Sequence, residues 1–175
     1  MYLRSSGALA MKRLIPILLF LVSGVAHAEE SITGAFGLKF GEVLDESIFD
    51  VTFGLKNDGY LEYRYKPKVE INPFTTYTVY VTPVKRLVFK IYAGDRISGG
   101  CDAHYFALET VLSMKYGMYD VTTDFDYKRA IWGSKDDRSI VLFCNISGDM
   151  ALFYTDAILA NSATDELIQE AEEKA

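Results

Sequence analysis

Apolar residues alternate with polar or small ones through much of the chain, and a period of two predicts strands. In residues 34–41, Phe36, Leu38 and Phe40 alternate with smaller or polar neighbours and predict a short extended segment. Its glycines match neither a phosphate-binding loop nor a dinucleotide fingerprint, because no Gly-Lys-Ser/Thr follows and the spacing is wrong. Residues 42–56 carry Ile48, Val51, Phe53 and Leu55 in a pattern that fits neither helix nor strand cleanly. Asn57-Asp58-Gly59 is a turn signal, and the alternating aromatic residues 60–65 predict a strand that Lys66-Pro67 ends. Residues 75–82 place Tyr77, Val79 and Val81 on one face and Thr78, Tyr80 and Thr82 on the other, and Pro83 stops that strand. Residues 86–93 are expected to set Leu87, Phe89 and Ile91 on one face and Val88, Lys90 and Tyr92 on the other. These three strands are expected to form an antiparallel meander.

The period then changes. Cys101, Tyr105, Leu108 and Leu112 recur at helical spacing, flanked by Ala107 and Val111, and Gly117 is a natural stop. After an acidic stretch with Asp120, Asp124 and Asp126, strands are predicted over 128–132, 138–146 and 150–155. In the second of these Ile140, Leu142 and Cys144 share a face. Residues from about 157 to 173 predict a helix, with Asp165, Glu166, Glu170, Glu172 and Glu173 as its solvated side. The order of β-meander, helix, β-meander and C-terminal helix predicts a two-layer α+β fold with an antiparallel sheet. No internal repeat is visible in the residues themselves.

At the N-terminus, Arg4, Lys12 and Arg13 precede the apolar run Leu-Ile-Pro-Ile-Leu-Leu-Phe-Leu-Val at 14–22, and Ala26-His27-Ala28 follows. This order predicts a signal peptide over residues 1–28, cleaved after Ala28, with one domain over 29–175. Residues 14–25 are too short for the roughly 20 apolar residues of a spanning helix, so no stable membrane anchor is expected after cleavage. Met11 directly before Lys12-Arg13 is a second candidate start, which would leave residues 1–10 untranslated. Cleavage removes three of the 18 basic residues and none of the 24 acidic ones, leaving a formal charge of −9. Such a chain repels phosphate backbones, and no nucleic-acid partner is expected. Its only two cysteines, Cys101 and Cys144, predict one disulfide in an oxidising compartment, the periplasm or the exterior.

Few chemistries remain. His27 leaves with the signal peptide, so His104 is the sole histidine of the mature chain, and pairing Cys101 in a disulfide removes its thiol as a nucleophile. No Gly-x-Ser-x-Gly occurs, and two cysteines with one histidine make a poor zinc set. Asp120, Asp124 and Asp126 are weak metal candidates that lack the pattern of a calcium loop, and no metal or other cofactor is expected. The 12 tyrosines are the more informative feature. Tyr63, Tyr65, Tyr80 and Tyr92 are the candidate binding surface, because tyrosine offers rigid amphipathic area.

The segments Gly-Ala-Phe-Gly-Leu-Lys-Phe-Gly at 34–41, Phe-Thr-Thr-Tyr-Thr-Val-Tyr-Val-Thr-Pro at 74–83 and Lys115-Tyr-Gly117 resemble small proteobacterial periplasmic proteins with no assigned activity. The resemblance implies compartment and fold class and carries over no catalytic residue. The expected function is non-catalytic recognition of another envelope protein through the surface. A glycan-active enzyme working with paired carboxylates and a small-molecule carrier with an apolar cavity are the alternatives.

Overall fold

The structure of the protein is a computed structural model that describes residues 30–45, 47, 50–57 and 60–173. The predicted signal peptide, Ile48 and the Asp58-Gly59 turn lie outside the described residues. A small hairpin, β1 (Gly34–Ala35) and β2 (Leu38–Lys39), comes first. Four strands follow: β3 (Asp50–Asn57), β4 (Tyr60–Lys66), β5 (Thr76–Val81) and β6 (Val88–Arg96). Helix α1 (Asp102–Tyr116) leads to β7 (Asp120–Thr123), β8 (Tyr127–Gly133), β9 (Arg138–Asn145) and β10 (Asp149–Asp156), and helix α2 (Ala157–Glu173) ends the fold.

All eight longer strands join one antiparallel sheet in the order β3-β4-β5-β6-β10-β9-β8-β7. Each half is a four-stranded meander followed by a helix, and the halves meet where Arg96 to Lys90 of β6 pair with Asp149 to Thr155 of β10. The mixed pattern around 50–57 is therefore an additional strand outside the predicted meander. The fold repeats in its connectivity although no repeat is visible in the residues.

One residue shift changes the expected faces of β6. Tyr80 pairs with Lys90, but Val81 pairs with Val88, so Phe89 is an extra residue between them. Such a bulge resets the alternation. Val88 and Ile91 enter the core at 1% and 0% exposure, while Phe89 turns to the opposite face against the rings of Tyr60 and Tyr80. The expected grouping of Leu87, Phe89 and Ile91 is corrected accordingly.

The core lies between one face of the sheet and a layer made of α1, α2 and the N-terminal segment. Helix α1 packs on β8 and β9 through Tyr105, Leu112 and Tyr116, in one cluster with Trp132, Ile140 and Leu142. Its first backbone acceptor is the Cys101 carbonyl, which receives the Tyr105 N–H at 2.8 Å, and Gly117 ends it with a left-handed φ of 78°. Disulfide Cys101–Cys144, with Cα atoms 5.9 Å apart, ties the helix start to β9. Phe36, from the turn of the β1–β2 hairpin, sets its ring edge-on against Tyr77 and Tyr154, and residues 41–42 hydrogen-bond to Val88. Fully buried side chains such as Val79, Ile91 and Leu142 each contribute roughly 1.5–3 kcal/mol of hydrophobic stabilisation.

Helix α2 begins at a capping carboxylate. Asp156 accepts the Leu159 N–H at 3.0 Å and the Arg138 Nε–H at 2.8 Å. Further along, Glu166 departs from the solvated face expected of it. It is 4% exposed, and its Oε2 accepts the N–H groups of Val84 and Lys85 at 3.0 and 3.1 Å. The helix thereby holds the β5–β6 turn, while Asp165, Glu172 and Glu173 are exposed as expected. A Glu166→Ala chain leaves both turn amides without their acceptor and is expected to lose about 2–3 kcal/mol in urea titration, with Glu166→Gln losing less. No helix among the described residues is long and apolar enough to cross a membrane.

Candidate functional site: the open face of the sheet

Because the helices and the N-terminal segment share one face, the opposite face of the sheet carries no layer among the described residues. Residues paired across neighbouring strands share a face, so the register fixes what this surface presents. One row runs Thr78, Tyr92, Phe153, Val141 and Ile131 across β5, β6, β10, β9 and β8. At the usual strand spacing it spans about 19 Å. A second row places Tyr80 beside Lys90, and a third places Gly94, Ala151, Phe143 and Arg129 side by side.

The rings lie against one another. Tyr92 and Phe153 have centroids 5.1 Å apart, and Tyr127 stacks on Phe143 at 5.8 Å. The Lys90 ammonium sits 5.0 Å from the Tyr80 ring and 5.1 Å from that of Phe153, a bridging cation held by two ring faces. Burial lowers the pKa of Lys90. Burial, with a smaller contribution from Glu62, pushes the Tyr80 hydroxyl up to about 12, and burial followed by Asp95 raises that of Tyr92. Gly94 explains how Tyr92 lies down: a Cβ at that position would come within 1.9 Å of the Tyr92 hydroxyl. The absent side chain leaves the backbone bare for the ring to cover.

Two of the four tyrosines proposed for this surface, Tyr80 and Tyr92, are on it. Tyr63 and Tyr65 turn to the helix-covered face and are 8% and 4% exposed, so they belong to the core. There the Tyr63 hydroxyl accepts a hydrogen bond from Arg86 at 2.8 Å, and Tyr65 sets its ring edge-on to Tyr77. Alternation alone separates Tyr63 and Tyr65 from their intervening neighbours, but only the pairing of Tyr63 with core residue Val79 says which side is which. Phe153, Phe143, Val141, Lys90 and Gly94 were not singled out in the sequence. Residues 150–154 read Met-Ala-Leu-Phe-Tyr, apolar on both faces, so the pattern does not show which residues lie on the side away from the helices.

The acidic candidates are spread out. Asp120 lies on β7, while Asp124 and Asp126 are in the β7–β8 turn, where the Asp124 N–H donates to the Tyr127 carbonyl and the Asp126 carbonyl accepts from Ile146. Among the described residues no three His, Cys, Asp or Glu side chains come together to hold a metal ion. His104 is half-buried on α1. Beside the disulfide is a cleft of about 270 Å3 that contains Asp102, Asp124 and Lys128 among its lining residues. Its Asp102 carboxylate is paired with Lys128 at 2.7 Å, so one of the two acids is already matched to a cation.

No family model, no curated protein and no solved structure matches this chain. The site is therefore argued from its own chemistry: an aromatic, half-buried surface with Lys90 bridging two rings can bind through area and shape.

Proposed function

We propose that the chain is an exported periplasmic protein that acts without catalysis, by docking the open face of its sheet on another protein of the envelope. The observation that carries this reading is the contiguous Tyr80, Tyr92, Phe153 and Phe143 surface on a sheet whose other face alone is covered by helices. Rigid aromatic rings with polar edges are the side chains that most often anchor protein interfaces. Export is supported by the charge, apolar run and Ala-x-Ala order of residues 1–28 and by the Cys101–Cys144 disulfide. The carboxylate-enzyme reading finds two acids in one cleft, Asp102 and Asp124, with Asp102 held by Lys128.

A photo-crosslinking residue at position 153 of the exported protein tests the reading in cells. One envelope protein is expected to be captured, and capture is expected to fall at least about tenfold in a Gly94→Val chain, where the new side chain displaces Tyr92. Circular dichroism of that chain checks that it folds. Absence of any specific adduct, together with hydrolysis of a glycan panel that Asp124→Asn abolishes, would replace docking by catalysis.

A further inference from the structure

The sheet has a second feature that can bind a partner, its β7 edge. All four residues of β7 are exposed, and among the described residues only β8 pairs with it. Sheet edges left open in this way are usually blunted by lysine, proline or a bulge. Here the segment is Asp-Val-Thr-Thr, paired in regular register with Lys128 to Ile131, and it is short but carries neither lysine, proline nor bulge.

The two sides of this edge differ. Val121 pairs with the core residue Ala130 and so points to the helix side, where it is 53% exposed. Met118 and Phe125, two residues before and two after β7, are each 90% exposed. On α1, Phe106 and Met114 are 51% and 68% exposed, and Phe106 reaches the edge region through the Lys128 ammonium, 4.6 Å from its ring. The helix side of the edge thus presents Val121 and Phe106 beside the mutually neutralised Lys128–Asp102 pair, with no strand or helix over Val121 among the described residues. The other side carries Asp120, and Asp124 and Asp126 follow in the turn, all exposed. Lys128 is neutralised by Asp102, and Arg129, opposite Thr122, is the cation on the open-face side. The edge therefore keeps a negative balance.

We infer that β7 accepts an extended segment of a partner protein in which apolar and basic residues alternate, extending the sheet by one strand. Main-chain hydrogen bonds supply affinity in such strand addition, and alternate side chains supply specificity. The apolar residues of the segment face Val121 and Phe106, and its lysines or arginines face Asp120. A second copy of this chain is the wrong occupant, because β7 against β7 brings three carboxylates from each copy together, and like charges across a strand pair are destabilising. This inference stands apart from the open face and does not depend on it.

The test uses the purified mature protein and a capped, fluorescent eight-residue peptide of alternating valine and lysine. Anisotropy is expected to show saturable binding that falls at least about tenfold for Asp120→Lys or Val121→Lys and is lost when alternate peptide amides are methylated. Hydrogen exchange is expected to show new protection at 120–123, and a Phe153→Asp chain is expected to bind as the parent does. Equal binding of a peptide with its valines and lysines in separate blocks overturns the inference in favour of simple charge attraction. No binding overturns it outright. Self-association in sedimentation that Val121→Lys abolishes assigns the edge to a second copy instead.

Discussion

Replacing both Cys101 and Cys144 by alanine is expected to lower stability by about 4 kcal/mol, because the crosslink closes a loop with a sequence separation of 43 and restricts the unfolded chain accordingly. Both sulfurs are buried, at 1% and 3% exposure for their residues, and alanine leaves little volume to collapse. The disulfide is also the covalent link between the start of α1 and the sheet. The helix keeps Tyr105, Leu112 and Tyr116 in the core without it, so the expected outcome is a folded but weakened protein rather than an unfolded one. Urea titration measures the loss, and hydrogen exchange should find it concentrated in the first turns of α1. A change below about 1 kcal/mol would mean that helix packing alone holds the layer together.

Raising the pH above 10 is expected to unfold the protein cooperatively. Tyr65, Tyr105 and Tyr154 are buried, at 4%, 1% and 6% exposure. Burial pushes Tyr105 up to about 12, with Glu109 adding to it, and raises Tyr65 and Tyr154 as well, with smaller contributions from Tyr77 and Tyr116 respectively. In the unfolded chain these hydroxyls titrate near 10. Between pH 10 and the folded-state values the native protein therefore retains protons that the unfolded chain has released. Stability is fully present below pH 10 and falls as pH rises, by about 1.4 kcal/mol per pH unit for each such tyrosine and about 4 for the three together. Tyrosinate absorbance and the loss of circular dichroism should rise in one transition. A Tyr105→Phe chain should unfold at higher pH without loss at neutral pH, because the Tyr105 hydroxyl has no hydrogen-bond partner among the described residues. Tyrosinate appearing reversibly while the fold persists would show that the buried rings reach solvent.

The sequence by itself determined the elements with a one-sided pattern. Strand β4 alternates from Leu61 to Lys66 and β5 from Thr76 to Val79, α1 repeats Tyr105, Leu108 and Leu112 at helical spacing up to Gly117, and two cysteines in the chain leave a single intramolecular pairing. These are local properties, fixed by the backbone period of each element. Tertiary structure decided what depends on partners distant in the chain. Strand alternation divides residues into two sets but does not say which set the helices cover, so Tyr63 and Tyr80 were indistinguishable until pairing placed Tyr63 beside Val79 and Tyr80 beside Lys90. Phe89, still buried at 6% exposure, packs against Tyr60 and Tyr80 on the face away from the helices because of a bulge between two strands. Glu166 left the solvent because a turn 81 to 82 residues earlier presents two amides to it. The open aromatic face exists only where β10 joins β6, since that junction brings Phe153 beside Tyr92 and merges two meanders into one surface. Period is a property of a segment, whereas coverage, register and charge compensation are properties of neighbours, and only folding supplies the neighbours.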